Sequence, residues 1–379
     1  MPNNRAVAEQ RALNMKKKLQ RSFQTFKDDY VSFMNDMINK RYAKKKIRVV
    51  FDCGTSYQGT TLNEQLLQGP DMTSSLIGIL TRFRQDQVAI MLGVESMFHQ
   101  VKVPPEDAGL LRFLWWPDGD VSQELQKYRM EVHLFGAASS PSCACYALRK
   151  CAEDNKSSFD AAVVETVLCN FYVDDCLRSV ASEQEAVKLY QDLKAICQTG
   201  GFRLTKWMTN NLCCQAFYKR TTEVKTLDFD QESLAMERAL GVLWCIRSDQ
   251  FKFQVNIQQR PLTQRGILAM MSSVYDPLGM LSPVVPPAKN ILHELCRLRT
   301  GWDDAVPDHL AQHWSRWMEE LQLTNFGVAV QSLEAQLHHF SDASETGYGV
   351  VTYLVQKNSS NQKHCTTSWG RQGLPLLNP

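Results

Sequence analysis

Apolar side chains at Leu19, Phe23, Phe26, Tyr30, Phe33 and Met37 follow one another in alternating steps of four and three, which sets them on one stripe of a helix. Residues 9–43 therefore predict a long amphipathic helix or a helix pair whose stripe packs into a core, with Lys44-Lys45-Lys46 ending it. The period then changes. Arg48-Val49-Val50-Phe51-Asp52 reads as a short strand, and the stretch rich in Gly, Thr, Asn and Gln up to Gly69-Pro70 reads as loop and turns. Val88–Leu92 predicts a strand. Ser139-Ser140-Pro141 caps and opens a helix through Ala144, Leu148 and Cys151, with proline in the first turn where its missing N–H is tolerated.

The next elements give a topology. Thr166–Val173 and Cys176–Val180 predict a hairpin. Ser182-Glu183-Gln184-Glu185 is a capping box opening a helix that carries Leu189, Leu193 and Ile196 inside, closed by Gly200-Gly201 and followed by the strand Phe202–Trp207. The order β-α-β-β-α-β is the split βαβ arrangement, with the first and third strands central. It brings the end of strand one, at Gly93, to the hairpin turn carrying Asp174 and Asp175. Further on, Leu240–Trp244 and Phe251-Lys252-Phe253 predict a second hairpin. Residues 263–323 read as mostly helical, interrupted at Asp276-Pro277-Leu278-Gly279, and Leu337-His338-His339-Phe340 opens a last strand-like segment.

Composition narrows the class. With 379 residues, 44% of them hydrophobic, the chain can bury a sizeable core, and its length predicts two or three domains. Its longest apolar runs, such as Phe113-Leu114-Trp115-Trp116, are far too short to cross a bilayer, and the polar N-terminus lacks a signal-peptide core. The expectation is an intracellular protein, cytoplasmic or nuclear, without a membrane partner. Twelve cysteines without a CxxC pair predict buried, reduced thiols. His309 with His313, and the pair His338-His339, lack the further ligands of a zinc pattern. The net charge of +2 is unevenly spread: residues 1–48 hold 13 Lys/Arg against 4 Asp/Glu, and the remainder 29 against 36. A basic arm can track a phosphate backbone or form a solvated helix face, and both readings stay open.

The chemistry centres on Asp174-Asp175. Adjacent carboxylates at a hairpin tip repel unless a cation lies between them, which points to divalent metal and phosphoryl chemistry. Where such a site needs a third carboxylate, at the end of Val88–Leu92, the chain has Gly93.

Seven ordered segments carry a family likeness: Arg48-Val49-Val50-Phe51-Asp52-Cys53, Leu66-Leu67-Gln68-Gly69-Pro70, Met97-Phe98-His99-Gln100-Val101, Arg112-Phe113-Leu114-Trp115-Trp116, Phe171-Tyr172-Val173-Asp174-Asp175, Tyr275-Asp276-Pro277-Leu278-Gly279 and Ser341-Asp342-Ala343-Ser344. Together they resemble the Pol polyprotein of BEL/Pao long-terminal-repeat retrotransposons, in its reverse transcriptase and the start of its ribonuclease H. The resemblance implies an α+β, right-hand polymerase fold of fingers, split βαβ palm and helical thumb, with a truncated ribonuclease H-like C-terminal segment. Its implied boundaries are a basic helical arm over 1–47, fingers and palm over 48–257, thumb or connection over 258–330 and the ribonuclease H-like segment over 331–379.

The resemblance also implies roles. Asp174 and Asp175 would hold catalytic Mg²⁺ or Mn²⁺. Phe98 would be the bulky gate that rejects a ribose 2′-hydroxyl, and Arg48 would lie against the incoming triphosphate. Phe135 and Gly136 would support nucleotide and template, and Lys206 would assist proton transfer. Asp342 would be a vestigial ribonuclease H metal ligand. The partners would be an RNA or DNA primer-template and deoxynucleoside triphosphates. Against this pattern, Gly93 removes the ligand that two ions about 3.5–4 Å apart would share. Glu95 lies one strand repeat further, roughly 6.6 Å away. Metal binding should be weakened and polymerase activity small or absent. No Asp or Glu follows Glu345, and Trp369–Pro379 departs from the pattern, so ribonuclease activity is the least expected function. A non-catalytic nucleic-acid-binding remnant is the alternative.

Overall fold

A computed structural model describes residues 5–22, 24–38, 51–83, 85–221, 236–246, 249–252, 260–279, 281, 285–322, 327–329, 334–344, 347–357 and 363–373. The chain divides into two compact units: residues 1–73, 93–174 and 192–205 form the first, and 74–92, 175–191 and 206–379 the second.

The N-terminal periodicity resolves as a helix pair, α1 (Arg5–Arg21) and α2 (Gln24–Ile38). The segment expected to be loop contains a single helical turn, α3 (Leu62–Gln65). A full capping box holds it: Thr61 accepts from the Glu64 N–H, and the Glu64 carboxylate accepts from the Thr61 N–H. After α4 (Leu76–Arg82) the strand β1 runs Val88–Val94, two residues beyond its expected end, and is buried throughout. Next come α5 (Pro105–Ala108) and the antiparallel pair β2 (Arg112–Trp115) and β3 (Gln126–Arg129). In the first unit Leu19, Ala12 and Met34 of the helix pair bury against Trp115 and Trp116, with Phe26 and Tyr30 partly buried beside them. Of the predicted stripe, Leu19 is core and Phe26 and Tyr30 line it, as the spacing predicts, whereas Ala12 and Met34 are core positions it did not include. The expectations at Phe23 and Lys44–Lys46, and the side chains of Phe33 and Met37, lie outside the described residues.

The following stretch carries the predicted topology. α6 (Ser140–Asp154) and α7 (Ala161–Cys169) precede β4 (Phe171–Tyr172) and β5 (Asp175–Val180); α8 (Glu183–Thr199) leads to β6 (Leu204–Thr209). The four strands form one sheet in the order β4-β5-β1-β6, with the first and third strands central as the split βαβ pattern requires. One expectation fails: Thr166–Cys169 is helix, not strand. Its apolar run spaces Val163 and Val167 one helical turn apart, and both are buried; a short apolar run of this kind does not itself distinguish helix from strand. The box at Ser182 forms with a shift, since Ser182 Oγ accepts from the Glu185 N–H while the Glu185 carboxylate reaches the Ala181 N–H. Leu193 and Ile196 of α8 are fully buried, each contributing about 1.5–3 kcal/mol of apolar burial. Gly201, at φ +80°, turns the chain out of α8.

In the second unit α9 (Leu212–Thr221) precedes β7 (Met236–Ala239), β8 (Val242–Cys245) and β9 (Gln250–Lys252). Leu240 and Gly241, expected inside a strand, instead form the two-residue turn between β7 and β8, both at positive φ; such a turn matches the right-handed twist of the flanking strands. The helical stretch is α10 (Gln264–Ser272), α11 (Pro286–Arg297) and α12 (Asp308–Gln322), interrupted between α10 and α11 as expected. β10 (Gly327–Ala329) completes a second sheet ordered β10-β9-β8-β7. A three-stranded antiparallel sheet of β11 (Glu334–Ser344), β12 (Gly347–Lys357) and β13 (Lys363–Gly373) follows. Among the described residues the cysteines are free; Cys53, Cys145, Cys151, Cys176, Cys197 and Cys214 are buried, whereas Cys169, Cys213 and Cys296 are exposed. The expectation of buried thiols thus holds for part of the set. No helix among the described residues is long and apolar enough to cross a membrane.

Candidate nucleotidyl-transfer site

The turn Val173-Asp174 joins β4 to β5 and holds Val173 at φ +54°. A β-branched residue there is strained by about 1–2 kcal/mol. Asp174 accepts, through its backbone carbonyl, a hydrogen bond from the Val94 N–H at 2.7 Å, so the end of β1 lies against the carboxylate turn as the topology predicts. Gly93, the residue before, is buried within β1 in extended backbone, and Thr205 Oγ1 donates to its carbonyl at 3.4 Å. Asp174 and Asp175 are both partly exposed. Behind them, burial pushes the Cys145 thiol of α6 up, and the charges of Asp71 and Asp174 act in the same direction while Arg149 opposes them.

Glu95 is the nearest acid along β1, and it is engaged elsewhere. Its N–H donates to the Arg203 carbonyl at 2.9 Å. Its Oε2 is buried 3.2 Å from Arg203 Nη1, at ion-pair distance but outside hydrogen-bond geometry. Arg203 is fixed in turn by its own N–H, which donates to Gln100 Oε1 at 2.6 Å. The donor set beside the turn is therefore two adjacent aspartates and a glycine, which does not fit two ions sharing a third carboxylate. Among the described residues no three His, Cys, Asp or Glu side chains converge on a metal-sized position.

Phe98 lies in the short 3-10 helix Met97–Gln100, and Phe98 and Phe135 meet with ring centroids 4.7 Å apart. Two expected nucleotide-site residues are thus brought together, Phe98 buried and Phe135 half-buried. His99 packs edge-on against Phe135 at 5.6 Å, and burial lowers its pKa. Gly136 follows at φ +109°, a conformation that suits glycine. Its loop is pinned by a residue the sequence reading passed over: Asn63 Nδ2 donates to the Gly136 carbonyl at 3.0 Å, and Asn63 Oδ1 accepts from the Ala138 N–H at 2.9 Å. Ser140 at the start of α6 adds a third anchor, donating through Oγ to the Leu134 carbonyl at 2.8 Å. The local signal for Asn63 was the Thr61-x-x-Glu64 capping pattern around it. Asn63→Ala should leave the Ala138 N–H without its acceptor and cost about 1–2 kcal/mol. Hydrogen exchange should show the Ala138 amide exchanging at least about tenfold faster; an unchanged rate would remove Asn63 as the anchor.

The remaining predicted residues lie on other elements. Lys206, in β6, is exposed and held at φ +56°. Within the second unit its charge acts on Glu237, whose carboxyl is raised by burial and pulled back by Lys206. Asp342 sits in β11 opposite Gly349 of β12, exposed, with its Oδ1 accepting from the Ala343 N–H. Arg48 lies outside the described residues.

Residues 263–373 match the family described as Pao retrotransposon-like RNaseH-like domain. The match takes in α10 to α12 as well as β11 to β13. It ends at residue 373, so Trp369–Gly373 belongs to the matched stretch, which corrects the expectation that resemblance is lost from Trp369. No curated protein matches the chain. Among solved structures, the foamy viral protease-reverse transcriptase dRH in complex with double-stranded DNA aligns at a TM-score of 0.56 and 13% identity, covering 88% of this chain and 50% of that one. The foamy viral protease-reverse transcriptase in complex with dsDNA aligns at 0.53 and 13%, covering 85% and 58%. The chain thus spans between half and three-fifths of the length of these structures and shares their fold. Residues 263–373 thus carry a Pao retrotransposon-like RNaseH-like domain, and the chain shares over most of its length the fold of these foamy viral structures.

Proposed function

We propose that the chain is the reverse-transcriptase and ribonuclease H-like portion of a Pao-type Pol, and that it holds nucleic-acid duplex without extending a primer. In this reading residues 48–257 are fingers and palm, 258–330 thumb or connection, and 331–379 the ribonuclease H-like segment. One observation carries it: the hydrogen bond from Val94 to Asp174 brings the end of β1 to the two aspartates, and the residue at that end is Gly93. Glu95 does not substitute, because Arg203 pairs with it. In this reading Phe98, Phe135 and Gly136, which lie together beside the β1 end, are what is left of a nucleotide site without its third carboxylate.

The test combines binding and extension on the full chain. A labelled RNA/DNA hybrid should bind, and affinity should fall roughly a hundredfold between 50 and 200 mM salt as counterions compete for the phosphates. Primer extension with Mg²⁺ or Mn²⁺ should stay at background. Extension that disappears in Asp174→Ala would overturn the inactivity, and absence of binding at 50 mM would overturn the holding role.

A further inference from the structure

The outer face of α1 carries more positive charge than its surroundings neutralise. The helix commits Ala12, Met15 and Leu19 to the core under Trp115 and Trp116. Its first cations are also committed: Arg5 pairs with Glu9 at 2.7 Å, and Arg11 donates to Asp52 Oδ2 at 3.1 Å and to Thr55 Oγ1 at 2.8 Å. Thr55 and Arg11 together hold the Asp52 carboxyl below its ordinary range. The cations at the other end are different. Lys16, Lys17, Lys18 and Arg21 form no ion pair among the described residues, and Lys17, Lys18 and Arg21 are exposed. Lys18 lies over the Phe26 ring at 5.5 Å, a contact that leaves its ammonium able to donate to an anion.

Geometry gathers these charges. At about 100° per residue Lys17 points away from both Met15 and Leu19, and Arg21 follows it one turn on, about 6 Å along the axis. Lys17 with Arg21, and Lys18 with Arg21, are like-charge neighbours that repel along the helix face. The negative end of the helix dipole favours cations in the last turn, but it calls for one or two rather than four. A polyanion relieves this repulsion. The buried stripe of α1 leaves Leu13, half-exposed one turn before Lys17, as the one large apolar side chain of this helix open to solvent among the described residues; a face of four cations with a single leucine suits a phosphate backbone better than a lipid surface, into which an amphipathic helix inserts a whole apolar side.

We propose that Lys16, Lys17, Lys18 and Arg21 form a docking surface for the phosphate backbone of a nucleic-acid duplex, set apart in sequence from the carboxylate turn. The inference rests on the reading that the chain holds duplex, and it assigns part of that hold to α1. It predicts contacts indifferent to base sequence, each releasing about one counterion.

The experiment compares the full chain with two variants: Lys16→Gln, Lys17→Gln, Lys18→Gln and Arg21→Gln combined, and the outward pair Lys17→Gln with Arg21→Gln. Anisotropy on an RNA/DNA hybrid across salt concentrations should show the fourfold variant binding about 10- to 100-fold more weakly at 50 mM, with a log–log salt slope shallower by about 2 to 4. The pair should lose about half of that, and it keeps the test valid should the fourfold variant fail to fold. Converting Lys16, Lys17 and Lys18 to arginine should leave binding intact, separating charge from helix stability. Variants that bind with unchanged affinity and slope overturn the docking surface but leave the wider reading standing. A natural chain that binds no duplex at 50 mM overturns both. Loss of binding to phosphatidylserine vesicles with duplex binding unchanged assigns the face to lipid and overturns the proposal.

Discussion

Gly93→Asp is expected, on the proposed reading that the natural chain leaves a primer unextended, to give a chain that extends it, raising activity by more than about a hundredfold. The magnitude follows from position. Removing a partner that merely orients a metal ligand typically costs about 10- to 100-fold, and a carboxylate shared by two ions contributes directly to the transition state. The backbone at Gly93 is extended strand that aspartate adopts without strain. Two neighbours keep the position aligned: the Val94 N–H on the Asp174 carbonyl, and Thr205 Oγ1 on the carbonyl of Gly93 itself. Adding Asp174→Ala to the restored chain should return extension to background. If Gly93→Asp folds and binds duplex but extends no primer, the missing carboxylate is not what silences the site.

The largest stability loss is expected at Trp244. Its side chain is completely buried in β8, with Phe83 edge-on at 5.0 Å and the indole N–H donating to Asp249 Oδ1 at 3.0 Å. Trp244→Ala opens a cavity beside Phe83, which is itself fully buried and also near Phe251 at 6.1 Å. Such truncations cost about 3–5 kcal/mol, a large part of the roughly 5–15 kcal/mol that typically holds a domain folded. Urea unfolding followed by circular dichroism measures it. Trp244→Phe, which keeps the ring and loses the hydrogen bond, should cost less than half as much. A change below about 1 kcal/mol for alanine would mean that β8 does not organise this part of the core.

What the sequence made legible was mostly local. The capping box at Ser182, the Gly200-Gly201 stop and the short apolar run Val88–Leu92 were enough to order the split βαβ elements, and that order put β1 beside the aspartates. The errors fell where a local pattern has two solutions. Val163–Cys169 is apolar enough for either strand or helix, and Leu240-Gly241 became a turn because the paired strands on either side needed one. The positioning residues were hidden for another reason. Asn63 anchors a loop more than seventy positions away, and Arg203 holds Glu95 across a hundred residues. Such contacts are set by tertiary packing, and no spacing within a single segment announces them.

Val173 keeps a left-handed backbone that its branched side chain resists. The strands on both sides, β4 and β5, hold the turn in that shape. Asp174 and Asp175 therefore keep their places at the seam of the two strands whatever stands opposite them. On the proposed reading, gaining primer extension then calls for a single substitution rather than the rebuilding of a loop.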